Sequence, residues 1–318
     1  MKKEKKSKTS LITSKLKNRG YFFLCFIPMV ILFFGLHTLE NSKINEIHTI
    51  SVNFSDFPDK ALAKACIQGK TVSLLIDTGS CAEFSLQTSV LHYIKEKKFL
   101  EKLEVIGVKG DVYSLQNFLV PSVTLGNIKL KQITAREEND DFFINAGVLH
   151  SAPLSEIRTQ KKIKYIQGKL GRMFLSQWTC LFDYPNSKLL LSKNTKSLIS
   201  LYPSEKFIVI PFLNQKGITV SLNTDYGKKT FLLDTGANVS LLRKSQVSTK
   251  LAQEIHPGLW KCKVNTLEWD HQELGGSDFY LHDFCHEIPA DGVLGIDFFK
   301  THIVLIDFND QLLYISNP

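Results

Sequence analysis

The sequence predicts a mostly β protein made of two related lobes, preceded by one membrane-spanning helix. Three observations predict it. An apolar run ends in a tight Asp-Thr-Gly turn twice, as Leu74-Leu75-Ile76-Asp77-Thr78-Gly79-Ser80 and as Phe231-Leu232-Leu233-Asp234-Thr235-Gly236-Ala237. A second pattern repeats in fixed register: Gly168-Lys169-Leu170-Gly171 precedes Leu181-Phe182-Asp183, and Gly292-Val293-Leu294-Gly295 precedes Leu305-Ile306-Asp307, every matched position lying 124 residues apart. Finally, Tyr21–Leu36 is an uninterrupted apolar stretch behind a strongly basic segment. One Asp-Thr-Gly is ordinary turn chemistry, but repetition at a constant offset marks an internal duplication.

Taken in order, the chain begins with its charge. The formal net charge is +8, yet residues 1–20 hold eight lysines and arginines against Glu4 alone, which leaves about +1 for all the rest. A near-neutral body argues against a nucleic-acid partner. The apolar run is 16 residues long, between a secretory core of about 7–15 and a spanning helix of about 17–25. No small-residue cleavage site follows it, so an uncleaved signal anchor at 21–38 is favoured over a cleaved signal peptide or a core helix. The basic tail, 1–20, then stays cytoplasmic, and the remainder lies outside the cytoplasmic membrane. Five cysteines follow the run, an odd number that leaves at least one thiol unpaired in an exporting compartment. Cys262 with Cys285 is the most plausible pair.

Residues 39–57 read as a linker or a first edge strand, and the first lobe as 58–195. Ala63–Ile67 and Thr71–Ile76 flank Gln68-Gly69-Lys70, a hairpin signal. Leu86–Leu103 has roughly helical apolar spacing on a lysine-rich background and predicts an amphipathic helix. Val105–Tyr113, with Gly107 and Gly110, predicts a glycine-rich hairpin, and Phe118–Val123 and Ile128–Ile133 predict strands around Leu125-Gly126-Asn127. The Asp-Thr-Gly copies are 157 residues apart. The excess over 124 matches an insertion in the first copy at about 136–165, read as a surface loop. A connection at 196–204 leads to the second lobe, 205–318. Asp183 and Asp307 recur in register before turn sequences and read as turn formers. His271, His282, Cys285 and His286 do not show metal-ligand spacing.

The order strand, Asp-Thr-Gly, further strands, Gly-x-Leu-Gly, short helix and terminal hairpin resembles the aspartic peptidases, both pepsin-type and retropepsin-type, over nearly all of residues 60–318. The layout is similar to that of bacterial membrane-tethered retropepsin-like proteins. The resemblance implies a bilobed aspartic-protease β-barrel fold, that is, a double retropepsin-like chain. It places Asp77 and Asp234 as catalytic carboxylates. Thr78 and Thr235 match threonines that bond across the lobe interface, and Gly79 and Gly236 match glycines that let the loops approach. Ser80 resembles the pepsin-type serine that bonds its aspartate, whereas Ala237 follows the retroviral pattern. Ile106, Gly107, Val108 and Gly110 match a flap that closes on substrate. Two departures stand out. Lys169 occupies an apolar position of the pattern, filled by Val293 in the second lobe. No partner flap is evident in the second lobe beyond the hints of Trp260 and Gly275-Gly276.

Two carboxyl groups in contact share one proton, and the pair can activate a water for attack on a peptide carbonyl. The expected function is therefore an aspartic endopeptidase acting on a peptide or protein, with no cofactor. One chain suffices for the dyad, and the membrane is met through the N-terminal helix. The alternative is a non-catalytic peptide-binding module on the same fold.

Overall fold

Two closed six-stranded barrels of identical connectivity flank a third sheet to which both contribute. The computed structural model describes residues 46–55, 59–106, 110–138, 166–203 and 205–316. Residues from Ile47 onward form one unit. The expected tail, anchor and beginning of the linker lie outside the described residues. Among the described residues no helix is long and apolar enough to cross a membrane.

Ile47–Ser51 (β1) falls in the stretch read as a linker or edge strand, and it is an edge strand of the shared sheet. The first lobe comprises Leu62–Ile67 (β2), Lys70–Asp77 (β3), Phe84–Gln87 (β4), Lys98–Ile106 (β5), Val112–Leu125 (β6), Ile128–Glu138 (β7) and Gly168–Gly171 (β8), in the sheet order β2-β3-β8-β4-β7-β6-β5. A β2–β6 pairing closes the ring and removes its edges. Thr179–Asp183 (β9) and Lys188–Ser192 (β10) enter the shared sheet, followed by Phe207–Pro211 (β11). The second lobe comprises Leu213–Asn214 (β12), Ile218–Thr224 (β13), Gly227–Leu233 (β14), Leu241–Leu242 (β15), Ala252–His256 (β16), Leu259–Trp269 (β17), Gln272–Leu281 (β18) and Gly292–Leu294 (β19). Its order, β13-β14-β19-β15-β18-β17-β16 with a closing β13–β17 pairing, repeats the first lobe strand for strand. Val304–Asp307 (β20) and Leu312–Ser316 (β21) complete the shared sheet, ordered β1-β10-β9-β20-β21-β11.

The centre of that sheet shows the duplication directly. In the antiparallel β9–β20 pair, Leu181 faces Leu305. These are the same position in the two copies, so the local two-fold axis passes between them. Asp183 and Asp307 end their strands by accepting turn N–H groups, from Asn186 at 3.3 Å and from Asn309 at 3.0 Å. The hydrophobic runs before each Asp-Thr-Gly are buried on both faces, as in strands enclosed between other elements: the last six residues of β3 are all buried. Gln68 and Gly69 both have positive φ, 47° and 80°, which gives the β2–β3 hairpin a turn of the twist that suits its strands.

Three expectations are corrected. Leu86–Leu103 is not one helix: helix is confined to Thr88–Tyr93, Ile94 turns extended at ψ 109°, Glu96 takes φ 62°, and β5 begins at Lys98. The lysine-rich stretch has no buried face to hold a long helix, and pairing along β6 supplies its backbone hydrogen bonds instead. The insertion does not begin at 136, because Arg136, Glu137 and Glu138 are the last residues of β7, which pairs in parallel with β4. Residues 139–165 lie outside the described residues. Among the described residues no disulfide joins any of the five cysteines. Cys262 points into the second barrel's core while Cys285 lines the cleft, so the two do not meet.

Candidate active site

Strands β3 and β14 run into the two Asp-Thr-Gly loops, which meet head to head at the local two-fold axis. The Thr78 N–H donates to Thr235 Oγ1 at 3.1 Å, and the Thr235 N–H donates to Thr78 Oγ1 at 3.0 Å. Each hydroxyl then donates onward into the opposite strand, Thr78 to the Leu233 carbonyl at 2.9 Å and Thr235 to the Ile76 carbonyl at 2.8 Å. Both threonines are fully buried. Four reciprocal bonds thus lock one lobe's loop to the other's.

The glycines are dictated by contact. A Cβ on Gly79 would lie 2.6 Å from Asp234 Cγ, and one on Gly236 would lie 2.6 Å from Asp77 Cγ. Each loop backbone therefore rests on the other lobe's carboxyl group. Beneath them, β8 and β19 hold the loops in place: Arg172 N–H donates to the Ser80 carbonyl at 2.8 Å, and Ile296 N–H to the Ala237 carbonyl at 2.9 Å. These are equivalent bonds in the two copies. The backbone of Gly171 presses on Ala82 and that of Gly295 on Val239, again equivalent, leaving no room for side chains.

Asp77 accepts the Ser80 N–H at 3.0 Å, and Asp234 accepts the Gly236 N–H at 2.8 Å. The expected hydroxyl bond from Ser80 to its aspartate is replaced by this backbone bond, and Ser80 Oγ instead accepts the Ala82 N–H at 3.5 Å. Ala237 is buried and lines the cleft. Burial, then the charge of Asp77 and a hydrogen bond with it, push the Asp234 carboxyl up to about 7 against the pull of the Gly236 N–H and Lys60. The two carboxyl groups are thus an interacting pair in which Asp234 favours the proton.

A cavity of about 460 Å³ opens beside the pair, lined by Asp234 and Gly79. Leu232, Ala237, Leu241, Phe284, Ile288 and Val293 give it an apolar wall from the second lobe, and Leu103–Ile106 of the β5 strand roof it. Ile106, one of the expected flap residues, is among these lining residues. Gly110, at φ 92°, brings the far side of the same hairpin to the second lobe, where an added Cβ would meet Cys285 Cβ at 3.6 Å. Gly107 and Val108 lie outside the described residues. The second lobe does have an equivalent hairpin, β16–β17, with Trp260 at its start. It is five residues long on its first arm against nine in β5. That arm is mostly exposed, which is why no apolar alternation announced it.

Three charged residues not foreseen as members of the site surround the dyad. Lys169 Nζ lies 3.4 Å from Asp77 Oδ2 and 3.5 Å from Glu138 Oε1, all three side chains being nearly buried. Burial alone would lower the lysine, but Glu138 and then Asp77 outweigh it and hold the ammonium above its ordinary value. Burial pushes Glu138 up, and Lys169 opposes that. Lys60 Nζ donates to the Gly236 carbonyl at 2.7 Å. Burial lowers Lys60 to about 8, partly offset by Asp77 and Asp234. The one sequence signal for this cluster was the lysine standing in an apolar position. Glu138 was hidden in the charged run Arg136-Glu137-Glu138, which reads as a solvated loop.

No protein-family model matches the chain. The aspartic proteinase from Irpex lacteus superposes with a TM-score of 0.56 at 15% identity, covering 86% of this chain and 97% of that one. Basic 7S globulin from soybean superposes with a TM-score of 0.55 at 9% identity, covering 85% and 95%. These likenesses establish the fold, which is the bilobed one of the aspartic proteinases. A retrovirus-related Pol polyprotein from transposon 412 of Drosophila melanogaster is 32% identical over 97 residues, which is 26% of this chain and 8% of the polyprotein. The chain therefore spans less than a tenth of the length of the curated relative it matches.

Proposed function

We propose that the chain is an aspartic-type endopeptidase in which Asp77 and Asp234 activate a water. The observation that carries the reading is the interacting carboxyl pair on two interlocked Thr-Gly loops. In this reaction the water oxygen bonds to the scissile carbonyl carbon while one carboxylate takes a water proton. The protonated carboxyl gives its proton to the carbonyl oxygen. Collapse of the resulting gem-diol breaks the C–N bond, and the nitrogen leaves with a proton from the pair. Leu103–Ile106 line the cleft, and in this reading their hairpin closes on bound substrate to exclude bulk water. The substrate of this reading is an extended peptide, its side chains alternating between pockets. The apolar run Tyr21–Leu36 behind its basic flank supports anchoring in a membrane, with the lobes outside the cytoplasm.

The test is cleavage of a diverse peptide library by the full-length chain from about pH 3.5 to 7.5, beside an Asp77→Asn Asp234→Asn variant and with pepstatin. Cleavage lost in the variant supports the reading. A folded chain that cuts nothing sinks it. One observation favours a second reading, a peptide-binding module without turnover: the Lys169 ammonium already occupies Asp77. That reading predicts peptide binding that survives both Asp→Asn changes.

A further inference from the structure

The two halves of the dyad do not sit in equivalent surroundings. At one position of the repeat, the first lobe places Lys169 and the second places Val293. Lys169 reaches Asp77 Oδ2 at 3.4 Å, and Glu138, at the end of β7, holds the same ammonium at 3.5 Å from the other side. Val293 instead joins the apolar wall beside Asp234. A cation fixed against one member of a proton-sharing pair makes the charged form of that member cheaper and leaves the proton to the other. We propose that Lys169, braced by Glu138, is a positioning residue that fixes the polarity of the dyad, keeping Asp77 as the carboxylate and Asp234 as the proton carrier. The inference rests on the peptidase reading for its consequence: Asp77 takes the proton from water and Asp234 gives its proton to the substrate carbonyl oxygen.

Three other groups face the pair: Lys60, Tyr184 and Glu138. Lys60, ahead of β2, bonds the Gly236 carbonyl and acts on Asp77 more than on Asp234. Tyr184, after β9, is buried, and burial holds its phenol neutral far above its ordinary value. Glu138 opposes Lys169 by its own negative charge on Asp77. The two partners of one ion pair therefore have opposite effects on the dyad. This sets the proposal apart from a merely structural salt bridge.

The experiment uses the full-length chain with Lys169→Met, Glu138→Gln and both together. Two quantities are read: the pH profile of kcat/KM on a cleaved peptide, and the protonation of Asp77 and Asp234 from the ¹³Cγ shifts of labelled aspartates. Lys169→Met should move the acid limb, and the Asp77 midpoint, up by about one pH unit or more, a tenfold change in proton affinity. Glu138→Gln should move both down. The double variant, which leaves neither partner of the Lys169–Glu138 pair stranded, should still show the upward move. Limbs and midpoints that stay put, or that move the same way in both single variants, overturn the proposal. If the unaltered chain cuts no peptide, the peptidase reading falls. The carbon shifts then still decide whether Lys169 sets the polarity.

Discussion

Replacing Thr78 with Val removes one hydroxyl and little volume. It deletes the bond to the Leu233 carbonyl and the one accepted from the Thr235 N–H. Both threonines are fully buried, so no water replaces what is lost. A buried group left without its partner costs roughly 1–3 kcal/mol, and two such groups put the change at roughly 2–6 kcal/mol. That is a large share of the ~5–15 kcal/mol that holds a typical domain together. Thr235→Val deletes the mirror-image pair of bonds and should cost about the same. Thr78→Ser retains the hydroxyl and should recover most of the loss. Guanidinium denaturation followed by far-ultraviolet circular dichroism reads all three. Val variants within about 0.5 kcal/mol of the unaltered protein would show that the crossed bonds do not secure the loops.

Two further predictions follow from the same site. The folded-state value of Asp234, about 7, lies above its ordinary 3.8. Its contribution to stability should therefore be full below about pH 4 and lost as pH rises through about 7, on the order of 4 kcal/mol in all. Asp234→Asn should flatten that slope in denaturation series at several pH values, and an unchanged slope would contradict the assignment. Gly236→Ala places a methyl 2.6 Å from Asp77 Cγ. It should lower peptide cleavage by roughly 100-fold or more, because small displacements of a dyad are costly, and full activity would mean that the loops are free to separate.

Much of this architecture could be read from the chain because it is written twice. Each apolar run into Asp-Thr-Gly is a strand buried on both faces, and buried strands are continuous hydrophobic stretches. The 124-residue offset that linked Leu181 to Leu305 in sequence is the one that sets them opposite each other in β9 and β20. The parts that escaped notice depend on contacts remote in sequence. β5 is mostly exposed and carries apolar residues such as Phe99, Leu100 and Leu103 at spacings that suit a helix equally well, and only β6 decides for a strand. The first arm of the β16–β17 hairpin is likewise mostly exposed. Glu138 and Lys169 lie on either side of a long insertion, so nothing local in either segment indicates that they share an ion pair.

The local axis through Leu181 and Leu305 also bears on how such a site can diverge. In an assembly of two identical chains, every residue beside the dyad occurs twice. A lysine placed against one carboxylate would then be matched by a second against the other, and both aspartates would be held charged. With the two halves on one polypeptide, position 169 can be Lys while position 293 is Val. Covalent linkage thus allows a two-fold scaffold to hold a one-sided centre while its barrels match strand for strand.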